Sequence, residues 1–348
     1  MATSKGSKPA GSLGKRGGRV KWITLAVLTL AVVIAAQAGY VGFGWAHLKS
    51  MAFPRDESLL EYFPKDTGSV AILDPHQIDP KALGGESGVA RTYLSRVREE
   101  IKKATGVDLF FDVDKLALTS DLVVARGRFD AKKLSAELAP ARYVAAEHKG
   151  RSYLVRAGED AIAVIDGGVL LYGPEEGIKA AIDAREGGAS LAKNEQITER
   201  LRSVGWDHPL LVTARITDER PSIREILAGS TGPRAVTVGI STKVGLDLEA
   251  TIESASPASA EELRKLLDEK RANADAWKPM VGSDAAQILI DVSKKASITS
   301  DPAQPFVKIK VHMEPAQLDA LIKAAGSAAP LGELYKDFRL YQLLVPNL

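Results

Sequence analysis

"KVGLDLEATIES", Lys243 to Ser254, decides the fold class. Val244, Leu246, Leu248, Ala250 and Ile252 alternate with Lys243, Gly245, Asp247, Glu249, Thr251 and Glu253. A period of two sends the apolar set to one side of an extended chain and the polar set to the other. Strands with one wet face belong to antiparallel sheets, because parallel strands are covered on both sides and read as continuous apolar runs. The apolar side then needs helices, and the next residues supply one. "SPASAEELRKLL", 256 to 267, predicts a helix from about Ser259, whose spacing to Glu262 fits a capping box, with Leu263, Leu266 and Leu267 on the inner stripe.

The same strand-then-helix grammar recurs on either side of this stretch. Downstream, "FVKIKVHMEPAQLDALIKAAG" alternates at Val307, Ile309 and Val311, then places Leu318, Leu321, Ile322 and Ala325 at helical spacing. Upstream, "GGVLLYGPEEGIKAAIDA" puts Pro174 in a first helical turn and Ile178, Ala181 and Ile182 on one face, and Asp166-Gly167 before it suits a hairpin. "DLVVARGRFDAKKLSAEL" offers Asp130 as an N-cap with Leu134 and Leu138 facing inward. "GSVAILD", 68 to 74, is a strand, and 87 to 104 aligns Val89, Tyr93, Val97 and Ile101 on a helix face. The expected architecture is α+β: a two-layer antiparallel sheet with helices on one face, built from repeated strand-strand-helix units. "AGSTGP", 228 to 233, marks an internal boundary between a first unit, 58 to 228, and a second, 233 to 348.

Ahead of these units the chemistry changes. Residues 1 to 21 are rich in Gly, Ser, Lys and Arg and predict a disordered, basic cytoplasmic tail. Residues 22 to 46 form a transmembrane helix in this reading. The stretch from Trp22 to Trp45 is free of charge and would span about 36 Å as a helix, enough for a hydrocarbon core of about 30 Å. Trp22, Tyr40 and Trp45 suit the membrane interface. Lys15, Arg16, Arg19 and Lys21 keep the leading end in the cytoplasm by the positive-inside rule. Ala36-Gln37-Ala38 has the form of a signal-peptidase site, but the apolar run continues past it, so a retained anchor is the expectation. Ala31, Ala35 and Gly39 recur at four-residue spacing, which would let two such helices pair as a homodimer, although alanine-rich spans produce that spacing by chance. Residues 47 to 57 are a short linker.

Charge and composition exclude several functions. All 44 acidic groups, but only 38 of the 46 basic ones, follow residue 55, so the exported part is net acidic and no nucleic-acid partner is expected. No cysteine is present, which removes disulfides, thiolate metal sites and a cysteine nucleophile. His47, His76, His148, His208 and His312 lack metal-binding spacing, and no cofactor is expected. Asp66 in "DTGS" and Ser190 in "SLAK", with Lys193 three residues on, are the catalytic look-alikes. The first lacks the preceding apolar strand and second copy of an aspartic protease, and the second lacks the partner motifs of penicillin-binding enzymes. Asp112 and Asp114 lack a calcium loop and read as strand-edge residues. Arg126, Arg128, Arg151 and Arg156 offer a cationic stripe or an ordinary solvated face. The apolar ending with Tyr335, Phe338, Tyr341, Leu343, Leu344 and Val345 docks on its own core or serves a partner.

"FPKDTGSVAILD", "TGVDLFFDVDKLAL", "GRFDAKKL" and "SLAKNEQI", following an N-terminal anchor, together resemble a group of bacterial membrane-anchored envelope proteins. The likeness covers most of 58 to 217. It implies an exported α+β body at the inner membrane and assigns no site residue. The leading expectation is a non-enzymatic single-span protein whose exported body binds an envelope protein or cell-wall partner. Its rivals are an exported hydrolase with a site assembled from distant residues and a membrane-tethered ligand sensor.

Overall fold

A computed structural model describes residues 57–77, 99, 102, 107–108, 111–138, 142–156, 160–166, 168–216, 232–242, 245–275, 283–318 and 320–321. The chain is α+β. Twelve strands form one antiparallel sheet: β1 (Ser69–Leu73), β2 (Val113–Leu118), β3 (Val123–Gly127), β4 (Val144–His148), β5 (Arg151–Val155), β6 (Ala161–Ile165), β7 (Val169–Gly173), β8 (Leu210–Arg215), β9 (Ala235–Ser241), β10 (Leu246–Glu253), β11 (Ser297–Ser300) and β12 (Phe306–Met313). Their order across the sheet is β11-β12-β10-β9-β8-β1-β2-β3-β7-β6-β5-β4. Five helices accompany them among the described residues: α1 (Ala131–Leu138), α2 (Glu175–Gly187), α3 (Glu195–Val204), α4 (Pro257–Ala272) and α5 (Ser283–Lys294). The β8–β9 ladder, from Leu210↔Ile240 to Arg215↔Ala235, carries the sheet across the sequence boundary at 228 to 233.

The alternation in β10 has the predicted outcome. Leu246, Ala250 and Ile252 are buried beneath helices, and Leu263 of α4 packs with Ile252 and Val307. The polar set of β10 and β12 lies on the opposite face. In the middle of the sheet that pattern changes, because both faces are covered. Leu73, Leu116, Ala125, Ile162 and Leu170 join one apolar cluster with Leu134 and Leu138 of α1 and Val292 of α5. Their chain neighbours Ile72, Ala117, Val124, Ala161 and Leu171 join another with Ile178 and Ile182 of α2, Ile197 and Leu201 of α3, and the 3-10 turn Glu57–Tyr62. The expectation of helices on one face therefore holds at β11 and β12 and fails from Thr251 of β10, which α3 covers, to the centre. There "AIAVI" and "VLLYG" are nearly continuous apolar strands with apolar layers on both sides.

Local rules set the element ends. Asp130 Oδ1 accepts the backbone N–H groups of Lys132 and Lys133, as an N-cap does. The helix α4 starts three residues earlier than predicted: Ser256 is its cap, accepting from Ser259 N, because Pro257 at the first turn needs no N–H partner. Asp166 turns the β6–β7 hairpin with φ 49. Residues 99 and 102 are helical, and the rest of the helix predicted at 87 to 104 lies outside the described residues. So do the tail, the apolar run 22–46, the linker up to residue 56 and the segment after 321. Among the described residues no helix is long and apolar enough to cross a membrane.

A polar seam beneath α3 as candidate functional site

The register of β8, β9, β10 and β12 aligns Thr213, Thr237, Thr251 and Lys308 in one row on the face away from α4. The three threonines are almost wholly buried, and the hydroxyls of Thr213 and Thr237 lie 3.0 Å apart. What covers this row is α3. Asn194 opens the helix by accepting from Ile197 N, and its amide donates to the Lys65 carbonyl at 2.9 Å, fixing the helix start to the turn before β1. Ile197, Leu201 and Val204 enter the apolar cluster shared with α2. Arg200 is also buried, and its Nε donates to Glu253 Oε2 at 2.6 Å.

The chain leaves α3 at Gly205 and passes over the sheet through Trp206 and His208. His208 Nε2 lies 3.2 Å from the Val204 carbonyl, so that nitrogen donates a proton to it. This crossing needs a glycine below it. A Cβ at Gly239 would fall 2.5 Å from His208 Cδ2 and 2.6 Å from Val204 Cγ1. Four buried polar atoms around α3 have no hydrogen-bond partner: Arg200 Nη1, Trp206 Nε1, His208 Nδ1 and Thr251 Oγ1. Native interiors leave few such groups, so their concentration here is the most unusual chemistry of the described residues.

Beyond α3 the face is open to solvent. Lys308, Lys310 and His312 of β12 are exposed beside Asp247 and Glu249 of β10, with Thr299 of β11 outside them. Lys310 Nζ pairs with Glu249 Oε1 at 2.7 Å, and His312 Nδ1 with Asp247 Oδ1 at 2.7 Å. Thus the seam grades from buried hydroxyls through a half-buried ion pair to a charged surface.

Two other polar clusters are bracing. Asp160, 2 % exposed, accepts from the hydroxyls of Tyr143 and Tyr172 at 2.6 Å each and from Arg156 Nε at 3.0 Å. Burial and that carboxylate push the Tyr172 phenol far above its ordinary range. Around the left-handed Asp166, Arg151 and Arg185 pair with its carboxylate at 3.3 and 3.4 Å, and Tyr62 donates to it at 2.9 Å. Burial and the Asp166 bond push the Tyr62 phenol up to about 12. A shallow notch opens there, lined by Arg151, Asp166, Arg185 and Glu186 with Ile165 and Ile182.

The residues singled out from sequence are dispersed. Arg126 binds Ser58 and Arg151 joins Asp166, while Arg156 turns to Asp160 and Arg128 is exposed, so no cationic stripe forms. Asp66 sits in an exposed turn where Thr67 N donates to the Pro64 carbonyl. Ser190 is buried in a bridge to Pro64, and Leu191 N donates to the Phe63 carbonyl, so the loops of Asp66 and Ser190 meet as a structural joint. Asp112 accepts from Asp108 N, and Asp114 faces His76 at 3.6 Å. Trp22, Tyr40, Trp45, Lys15, Arg16, Arg19, Lys21, Ala31, Ala35 and Gly39 all lie outside the described residues. The seam itself has no sequence signature, since its threonines stand one to a strand and meet only through strand register.

No family model matches the chain, and no curated protein matches it. Among solved structures it is similar to three crystal forms of TP0453. Form III aligns with a TM-score of 0.44 at 8 % identity, over 76 % of this chain and 97 % of that one. Form I gives 0.42 at 10 % over 78 % and 99 %, and form IV 0.43 at 8 % over 78 % and 96 %. At such scores the likeness fixes neither a fold family nor a function.

Proposed function

We propose that this chain is a non-enzymatic, single-span protein of the bacterial envelope, akin to the membrane-anchored group it resembles, whose exported α+β body binds a protein or cell-wall partner. The run 22–46 is the anchor and the basic residues before it hold the N-terminus in the cytoplasm. The body stands close to the bilayer, for the turn Glu57–Tyr62 after the short linker is part of the core. Leu59, Leu60 and Phe63 are buried there, and Glu61 pairs with Arg185.

The observation that carries the binding role is the exposed polar face of β10, β12 and β11. Lys308 and Lys310 project from it beside Asp247, Glu249 and His312. A partner that covers this face with complementary polar and charged groups would pair with these side chains.

Because the chain has no thiol, single cysteines test this directly in cells. Lys308→Cys and Thr299→Cys in the full chain should give one and the same discrete crosslinked product, and Lys132→Cys on the far side should not. Equal products from all three positions, or none from the first two, would remove this face as the binding surface.

A further inference from the structure

We propose that His312 is a pH-responsive clasp that fastens the end of β12 to β10 and to the helical turn that follows. Both of its ring nitrogens face carboxylates: Nδ1 is 2.7 Å from Asp247 Oδ1, and Nε2 is 3.3 Å from Glu314 Oε1. A neutral imidazole has one N–H and one bare lone pair, so it can satisfy one carboxylate only by setting its lone pair against the other. The imidazolium donates to both.

The surrounding charges favour that form. Asp247 and Glu249 come from β10, and Lys310 and Glu314 from the histidine's own strand and its continuation. Lys310 is engaged by Glu249 at 2.7 Å, so among the described residues the imidazole is the cation that faces the two carboxylates at the ring. β9 contributes Ser241 opposite Asp247, which is uncharged. The bond to Asp247 raises the imidazole above its ordinary value, and partial burial opposes this more weakly.

Glu314 links the clasp to the chain beyond. Its N–H donates to Gln317 Oε1 at 3.1 Å, and its carbonyl accepts from Leu318 N at 3.0 Å, where Leu318 is buried against the sheet. The residue on which β12 turns into helix is therefore the one that His312 holds. A group whose folded pKa is raised contributes fully below its unfolded value, about 6.5 for histidine, and loses that contribution as pH rises through the raised value. The clasp is thus closed in mild acid and opens toward alkaline pH. The clasp is formed by residues of the folded body and operates on either side of a membrane.

The test is an NMR titration of the full-length chain labelled with ¹⁵N, following the His312 ring and the amides of Glu314, Gln317 and Leu318. The ring midpoint should lie above about 6.5, and the three amides should shift with the same midpoint. Asp247→Asn should lower that midpoint, and His312→Gln should make the amides insensitive over this range. Glu314→Gln supplies a second test away from the β10 ladder and should also lower the midpoint. A ring midpoint at or below about 6.5, or amides that do not follow the ring, would overturn the clasp.

Discussion

Replacing Asp160 with asparagine keeps the side-chain shape and removes the charge on which three donors converge. In the native chain the carboxylate is buried and accepts from Tyr143, Tyr172 and Arg156, whose guanidinium also lies 5.4 Å from the Tyr143 ring centre. Asparagine offers one acceptor oxygen and turns two N–H donors toward a site already filled with donors. A hydrogen bond to a charged group contributes roughly 1.5 to 3 kcal/mol, and leaving one member of a buried ion pair uncompensated costs about 3 to 5 kcal/mol. These terms overlap, so Asp160→Asn should destabilise the fold by about 3 to 5 kcal/mol, not by their sum. The assay is urea unfolding followed by circular dichroism. With a slope of about 3 kcal/mol per molar, the midpoint should fall by about 1 to 1.7 M at unchanged slope. Tyr172→Phe, which removes one donor, should cost less, and its effect should shrink in the Asp160→Asn background. A midpoint loss for Asp160→Asn below about 0.3 M, or strict additivity of the two changes, would refute the converging-donor account.

The seam and the α4 contact make three further predictions. Thr213→Val or Thr237→Val alone strands a buried hydroxyl and should cost about 1 to 3 kcal/mol, while the double variant should be close to neutral, as read by a double-mutant cycle in urea. Gly239→Ala drives a methyl into His208 and Val204 and should cost about 1 to 3 kcal/mol, with shifted Trp206 fluorescence as α3 gives way. Glu261 is held down to about 2, first by its Arg264 bonds and then by Ser300. A depressed carboxyl contributes above its unfolded value and loses that contribution as pH falls through the folded one, so carboxyl NMR should find it ionised to near pH 2, and Ser300→Ala should raise its midpoint.

How far the fold was readable depended on how local its causes were. The β10 pattern fixed an antiparallel strand with one wet face because alternation is a property of neighbouring residues, and Asp130, Leu134 and Leu138 behaved as their spacing required. The two-sided burial at the sheet centre also had a signal, in the unbroken apolar runs of β6 and β7, which the pattern of β10 obscured. The start of α4 was displaced because Ser256 and Ser259 are both plausible caps in sequence, and only the proline between them decides. The seam was beyond reach for a different reason. Arg200 and Glu253 are 53 residues apart, and Thr213 and Thr237 are 24 apart. Nothing local says that α3 will lie over that row. Asp160 shows the intermediate case, with Arg156 four residues away but Tyr143 delivered from just before β4 and Tyr172 from β7.

The most direct measurement on the central claim is the reactivity of Lys308→Cys in intact cells toward a thiol reagent that cannot cross the inner membrane. Labelling from outside is expected once the outer barrier is made permeable, with Lys15→Cys silent in the same cells. Labelling of Lys308→Cys only after the cytosol is opened would contradict it, since a body on that side of the membrane has no envelope partner to bind.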